Sequence, residues 1–566
     1  MCGLLASFSD SCNYDAFKSA LKLLSHRGPD NQNAILHGNY FLGHTLLAIN
    51  QSKDFGIQPV EYEDFALIFN GEIYNIDALC IKYNTTFEKS DGYTFLKIFT
   101  KSGTKIFSEI DGIFAIIISN KNTHELVVAR DRYGVKPLYY LKDNLVFSSE
   151  IKALRALYSD AFTFNSFAIE EYLGLGYAIG EKTIWNEVER FPPGKFVIID
   201  KSKSLYLQDF DPLNFQKKIV FEDFKNAMNL QLNIEVRKAF MVSGGLDSSI
   251  IVALAKKLGE SKTKGYVVSQ EGIENYDSDI DRAKSLAKDL DFELTSLYPV
   301  FYFNLPSELA LIAEEPIPDL AAFYQLQIAQ KCSENDIKVL FSGIGADELW
   351  GGYRRHRLAK LVNMNKSFFQ LIYTFLPQKI KEMKFFAGFS ANVLDFFILK
   401  GTPFEISKSL KLRFSHLNQE KDILQKVILF DKNNYLVNNN LLIADKFSMK
   451  YGVETRVPFL ANTLNAKFDT QNVNFWRGKI KLIEIFKSYL PKYITKRKKT
   501  GFSGIPSKEL QLKWKKEVIG NEIFFSELLN YNTYNQLVMN GSFSHFVVAL
   551  MIFELHKWNI NTKSNE

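Results

Sequence analysis

Cysteine is scarce: Cys2, Cys12, Cys80 and Cys332 are the four in a chain of 566 residues. No two stand at metal-ligand spacing and their density is far below that of a disulfide framework, which excludes a zinc module and a stapled secreted scaffold. A reducing setting without disulfides is expected. Charge of one sign is also lacking. Lys and Arg number 69 against 63 Asp and Glu, a net +6, and they are interspersed everywhere except "KRKK" near position 497. That balance gives no footprint for nucleic acid. Long apolar runs are missing too: "FVVALMIF" is far shorter than a bilayer span, and no basic segment followed by an apolar stretch opens the chain. The expectation is a cytoplasmic protein with no membrane partner.

What is present begins with size. A chain of this length exceeds a single core and folds most economically as two or three domains, and 46% hydrophobic content suffices to fill them. There is no internal repeat and no low-complexity tract. In the first 200 residues, "FALIFNGEIYN", "GIFAIIISNKNTHELVVARD" and "LYYLKDNLVFSSE" are short apolar runs broken by turn signals, so hairpins in a buried sheet are expected. A polar stretch follows, and from about position 236 strands alternate with helices: "AFMV", "SSIIVALAKKLG", "GYVVSQ", "DIDRAKSLAKDL", "KVLFSG". Alternation of that kind predicts crossover connections and a parallel sheet covered on both faces. The remainder reads mainly as helices. The boundary is expected between 210 and 220, giving domains 1–212 and 213–566.

"MVSGGLDSSI" is the most informative stretch of the second domain. An apolar strand runs into Ser243, Gly244, Gly245, Leu246, Asp247, Ser248 and Ser249, and a helix starts at once. Two glycines permit a tight turn with close backbone approach, the helix N-terminus offers free N–H groups to an anion, and three hydroxyls add donors. Asp247 would repel phosphate unless a cation lay between them, which points to Mg²⁺. A glycine turn with a serine cap is the plain structural alternative. The lysine of a G-x-x-x-x-G-K-[ST] loop is missing, and the string resembles the pyrophosphate loop of ATP pyrophosphatases that cleave between the α- and β-phosphates. A second acidic loop, "VLFSGIGADELWGGY", again follows a buried strand, at the end where open α/β sheets place ligands. Ser342 and Gly343 are candidate ATP contacts there, and Asp347 could complete the magnesium pair with Asp247.

What an adenylating enzyme might still lack is a nucleophile, and "MCGLLASF" suggests one whose obvious use is hydrolysis of the glutamine amide. After removal of the methionine, Cys2 would carry a free α-amine able to act as general base for its own thiol. "NGEIYN" offers Asn70 and the Gly71 N–H for an oxyanion, while Glu72 and Asp91 offer carboxylates to the substrate's ammonium.

"MCG", "LSHRGPD", "NGEIYN", "ARDRYGVKPLYY", "SSEIKAL", "PPG", "SGGLDSS", "GADELWGGY" and "DKFSMKYGVETRVPFL" together resemble, in order and spacing, the glutamine-hydrolysing asparagine synthetases. The resemblance spans nearly the whole chain. It implies an N-terminal-nucleophile glutaminase, an αββα sandwich, followed by a doubly wound synthetase domain of the ATP pyrophosphatase type, with an internal ammonia tunnel and homodimers common. By motif it makes Cys2 the nucleophile, Asn70 and Gly71 the oxyanion hole, Glu72 and Asp91 the glutamine contacts, and Ser243–Ser249 the pyrophosphate loop. Asp247 and Asp347 would hold magnesium. Lys499 in "KKTGF", with Lys498 the alternative in the same run, matches the lysine that meets the phosphates. Glu315 and Asp319 in "EEPIPDLAAFYQL" resemble the acceptor segment.

Two positions depart from the family pattern. Where "GHxRL" supplies an arginine to glutamine's α-carboxylate, this chain reads "GHTLL" with Leu46. Leucine cannot replace a charge-assisted, often bidentate pair, so weaker glutamine binding, another cation, or use of free ammonia is expected. Ile344 stands where asparagine synthetases commonly carry glutamate, in reach of the acceptor. Aspartate stays the default acceptor, with another carboxylate, such as a sugar uronic acid, as the alternative. A non-catalytic scaffold would have eroded the nucleophile and the magnesium carboxylates, and both are intact.

Overall fold

A computed structural model describes residues 2–49, 56–200, 205–212, 218–268, 274–377, 387–418, 422–464, 470–474, 476–496 and 506–561. Twelve strands belong to the first 210 residues. They are β1 (Gly3–Phe8), β2 (Asn31–His37), β3 (Tyr40–Leu46), β4 (Val60–Tyr62), β5 (Phe65–Ile73), β6 (Gly112–Asn120), β7 (Leu126–Arg130), β8 (Tyr139–Leu141), β9 (Phe147–Ser148), β10 (Val188–Arg190), β11 (Lys195–Ile199) and β12 (Gln208–Asp209). They form two six-stranded sheets in the orders β10-β8-β9-β1-β3-β2 and β12-β11-β7-β6-β5-β4. Both expected hairpins are there, β6 turning into β7 and β8 into β9.

The run "GIFAIIISN" explains why the sheets stack. Successive side chains of a strand point to opposite faces. From β6, Ala115 and Ile117 enter a core with Leu4, Ala6, Leu42 and Phe147 of the other sheet. Phe114, Ile116 and Ile118 face outward onto Phe95, Ile98 and Phe99 of the helix Asp91–Ser102. On the far side, Leu5 and Phe41 meet Phe17, Leu21, Ile151 and Leu154 of the helices Tyr14–Lys22 and Ile151–Leu157. The layers are therefore helix, sheet, sheet, helix, the expected αββα sandwich.

The second half holds β13 (Lys238–Met241), β14 (Lys264–Val268), β15 (Glu293–Leu297), β16 (Val339–Phe341) and β17 (Glu454–Arg456) in one parallel sheet of order β15-β14-β13-β16-β17. Phe240, Val267 and Phe341 pack on one face with the helices Phe221–Leu232 and Leu246–Lys257. Ala239, Tyr266, Val268 and Leu340 pack on the other with Leu305–Ala313 and Ala321–Ser333. Chain order runs outward from β13 to β15, then returns to β16 on the opposite side of β13. That reversal is a topological switch point, and it brings the loops after β13 and β16 side by side. The strand β17, a sheet edge, and a π-helix at Asp431–Leu441 lie in the region read as mainly helical. No described helix is long and apolar enough to cross a membrane.

Candidate functional site

Cys2 immediately precedes β1 and is buried. Its backbone N–H donates to Oδ1 of Asn70 at 2.8 Å, and Asn70, fully buried on β5, has an Nδ2 with no hydrogen-bond partner among the described residues. A buried donor left unmatched is costly unless something arrives to accept from it. Next to it, a Cβ on Gly71 would come 1.9 Å from the carbonyl oxygen of Ile113 on β6, so only glycine allows β5 and β6 to approach there. Arg27 Nε donates to the Cys2 carbonyl at 3.1 Å, and the Gly3 N–H donates to Thr45 Oγ1 at 2.9 Å. These contacts fix the first turn of chain against β3. Burial pushes the Cys2 thiol up.

Asp91 opens its helix, whose N-cap Ser90 accepts from Tyr93 N–H at 3.1 Å. Burial pushes its carboxyl up to about 6, opposed by the backbone N–H groups of Gly92 and Ile73. Ile73 closes β5, so Asp91 sits at the end of the strand that carries Asn70, Gly71 and Glu72. The carboxylate of Glu454 raises both Cys2 and Asp91, which places all three in one neighbourhood. Glu454 in turn is 3.2 Å from Lys136 Nζ and 2.8 Å from Arg456 Nε, and Arg456 pairs with Glu72. This buried chain of charges escaped the sequence reading. Its signal was there, in charged residues embedded in the apolar runs "YGVKPLYY" and "GVETRVPFL".

The second centre is built on the switch point. Gly244 has φ +64°, and a Cβ there would come 2.5 Å from Asp279 O, so the turn demands glycine. Ser248 Oγ accepts from Ser243 N–H at 3.1 Å and Ser249 Oγ donates to Gly245 O at 2.7 Å, which tightens the loop at the start of the helix Leu246–Lys257. A Cβ on Gly343 would be 2.8 Å from Asp247 Cβ, so the two acidic loops touch. Ser342 donates its N–H to Arg456 O at 2.9 Å, tying the second loop to β17. Between Asp247 and Asp347 lies Lys479. Its Nζ is 2.6 and 2.5 Å from the two oxygens of Asp247 and 2.5 Å from Oδ1 of Asp347. No group of three or more His, Cys, Asp or Glu gathers for a metal among the described residues. Two carboxylates aimed at one cation are what a magnesium ion completed by phosphate oxygens and water requires.

Behind Asp347, Glu348 accepts from Tyr353 Oη at 2.6 Å and from Asn440 Nδ2 at 2.7 Å, and burial pushes its carboxyl up. Asn439 Nδ2 donates to Asp319 at 3.2 Å and to Asn440 Oδ1 at 3.0 Å, so Asp319 joins this network. Glu315 does not. Its oxygens are held by Tyr139 at 3.1 Å, by Tyr172 and by Arg190, all from the first domain, in full burial. Lys498 and Lys499 lie outside the described residues.

A family model described as asparagine synthase matches residues 220–539, more than half of the chain, and one described as glutamine amidotransferase domain matches residues 1–210. The chain belongs to the asparagine synthase family. It is an ATP-dependent ligase with a glutamine amidotransferase domain. It is 28% identical to glutamine-hydrolyzing asparagine synthetase 1 of Bacillus subtilis (strain 168), over 89% of this chain and 87% of that one. A probable glutamine-hydrolyzing asparagine synthetase of Acanthamoeba polyphaga mimivirus is also 28% identical, over 91% and 87%. Amidase chry2 of Gibberella zeae is 26% identical, over 64% and 60%.

Within this asparagine synthase family member, the two departures have distinct surroundings. Leu46 ends β3, buried, with a Cβ on Gly56 reaching within 3.1 Å of its Cδ1. Ile344 packs against an apolar cluster that joins Ile113, Tyr133 and Val135 of the first domain to Leu436, Leu441, Val457 and Leu460 of the second. Apolar side chains of the two halves meet there.

Proposed function

We propose that the protein is a glutamine-dependent asparagine synthetase, with a glutaminase domain over 1–212 and a synthetase domain over 213–566. The observation that carries this reading is the pairing of two built centres in one chain. Cys2 stands beside the unmatched amide of Asn70, and Asp247 faces Asp347 across the switch point.

In the first centre the Cys2 thiol gives its proton to its own amine and attacks the amide carbon of glutamine. Asn70 Nδ2 and the Gly71 N–H stabilise the oxygen that becomes negative. Asp91 holds the substrate's ammonium. Glu72, engaged by Arg456, contributes from the same strand. Ammonia leaves, and water releases glutamate.

In the second centre the Ser243–Ser249 loop cradles the β- and γ-phosphates of ATP, with Ser342 and Gly343 lining the other side. The aspartate carboxylate attacks the α-phosphorus and pyrophosphate departs, which turns a poor electrophile into an acyl-adenylate. Ammonia then displaces AMP and leaves asparagine. Asp247 and Asp347 fit a divalent ion, because both already converge on one ammonium. Bound there, Mg²⁺ would offset phosphate charge. Asp319 and its asparagine neighbours are the candidate acceptor contacts, and Lys499 the phosphate lysine.

A second reading keeps the chemistry and changes the acceptor. Ile344 favours it, since it leaves that position without a carboxylate, and the relative named Amidase chry2 belongs beside it. The test is incubation with MgATP and glutamine or ammonium, with and without aspartate, following AMP, pyrophosphate and asparagine together. Matched rises in AMP and asparagine support the first reading. AMP that requires a different carboxylate supports the second, and no AMP with any acceptor removes both.

A further inference from the structure

The lysine between the two acidic loops is built in. Lys479 precedes the helix Ile480–Phe486 with φ +57°, a left-handed conformation that a side-chain-bearing residue adopts only where its surroundings hold it. Its side chain is only 7% exposed. A glycine clears its path: a Cβ on Gly352 would come 2.3 Å from Lys479 Cε and 1.8 Å from Asp347 Oδ1. A long flexible side chain is thus guided to a point where three carboxylate oxygens lie within 2.6 Å of its nitrogen.

That point is also the one a divalent ion must take to use both carboxylates. An ammonium and a doubly charged ion cannot occupy it together, and their repulsion across a buried site is large. Phosphate oxygens offer the displaced ammonium an equivalent set of partners, since lysine binds phosphate as a compact point charge.

We infer that Lys479 is the resting occupant of the cation site between Asp247 and Asp347, and that it transfers to the phosphates of ATP when the divalent ion enters. Metal and nucleotide then bind as a pair, and the metal alone binds poorly. The inference rests on the proposed ATP site, and the experiment separates the two. Mn²⁺ serves as the probe, with free ion counted by electron paramagnetic resonance, using the full-length protein with and without α,β-methylene-ATP.

For the wild type, Mn²⁺ should bind about tenfold or more tighter with the nucleotide analogue than without it. Lys479→Met should raise Mn²⁺ affinity in the absence of nucleotide by a similar factor, whereas Lys479→Arg, which keeps the charge, should not. Equal Mn²⁺ affinity of wild type and Lys479→Met without nucleotide would overturn the inference. Should that variant fail to fold, as circular dichroism would reveal, the wild-type arm decides: nucleotide-independent Mn²⁺ binding overturns it. A wild type that binds the analogue under no metal condition removes the ATP reading itself, and the inference with it.

Discussion

Arg456, on the edge strand of the parallel sheet, forms an ion pair with Glu72, on the strand next to the edge of its sheet in the N-terminal sandwich. Arg456 is fully buried, and it also holds Glu454, which in turn is held by Lys136. One guanidinium therefore joins the parallel sheet to the strand that carries Asn70. Removing one partner from a buried pair leaves an uncompensated charge, a loss of about 3–5 kcal/mol. Arg456→Met should lower the unfolding midpoint accordingly and weaken glutamine use more than ammonia use. Adding Glu72→Gln should restore part of the stability. Single and double variants with the same midpoint would show that the pair does not couple the two halves.

Asn70 offers a second, local test. Its Oδ1 holds the Cys2 backbone, and its Nδ2 has no partner among the described residues. Asn70→Ala should cut glutamine hydrolysis by about 10²–10³ in kcat, the usual cost of one oxyanion donor. AMP formation with ammonium should stay within a factor of about three, because among the described residues Asn70 bonds to Cys2 and not to the loops of the second centre. Loss of both activities together would mean that Asn70 acts through folding.

Gly352 separates the centres from the other side. A Cβ there would collide with Asp347 and with the stem of Lys479. Gly352→Ala should reduce ATP-dependent pyrophosphate release by at least about 10²-fold, a scale set by misplacing reacting groups by an ångström. Glutaminase activity should survive. An alanine variant that releases pyrophosphate at the wild-type rate would take Asp347 out of the site.

Asp91 gives the pH dependence. Burial raises its carboxyl to about 6, above the value of an unfolded aspartate near ~4. The folded state thus binds this proton more tightly, so the contribution to stability is present below pH ~4 and is lost as pH rises to about 6. Glutamine binding needs the opposite form, because only the carboxylate attracts an ammonium. The KM for glutamine should rise as pH falls below about 6, approaching tenfold per unit, with kcat at saturation less affected. A KM that stays flat from pH 5 to 8 would remove Asp91 from the glutamine contacts.

Much of this was legible in the sequence because it depends on local pattern. The unbroken apolar run in "GIFAIIISN" already points to a strand buried on both faces, and it packs that way on two separate cores. Gly244 and Gly71 sit where the backbone admits no side chain, so the motifs around them mark real constraints. What stayed hidden depends on chain topology. Lys479 is one of two lysines in "RGKIKLIEIF", and its partners lie 232 and 132 residues away, across the switch point. Glu315 looked like an acceptor contact beside Asp319, yet the first domain reaches over with Arg190, Tyr172 and Tyr139 to hold it. No periodicity or spacing carries such pairings.

Leu46 carries the last prediction. It is the buried last residue of β3, at the position where the family resemblance implies an arginine for glutamine's α-carboxylate. A charge-assisted pair to a carboxylate is worth about 1.5–3 kcal/mol, or roughly 10–150-fold in affinity. Leu46→Arg should therefore lower the KM for glutamine by at least about tenfold and leave ammonia-dependent activity unchanged. The opposing effect is burial: Leu46 is 5% exposed, and an arginine head there without a partner would destabilise the free protein. Glutamine supplies that partner, so the variant should also gain more thermal stabilisation from saturating glutamine than the wild type does. If the KM does not fall while the variant remains folded, the glutamine carboxylate is held elsewhere, and Lys136, the buried cation that acts on Cys2, becomes the residue to replace next.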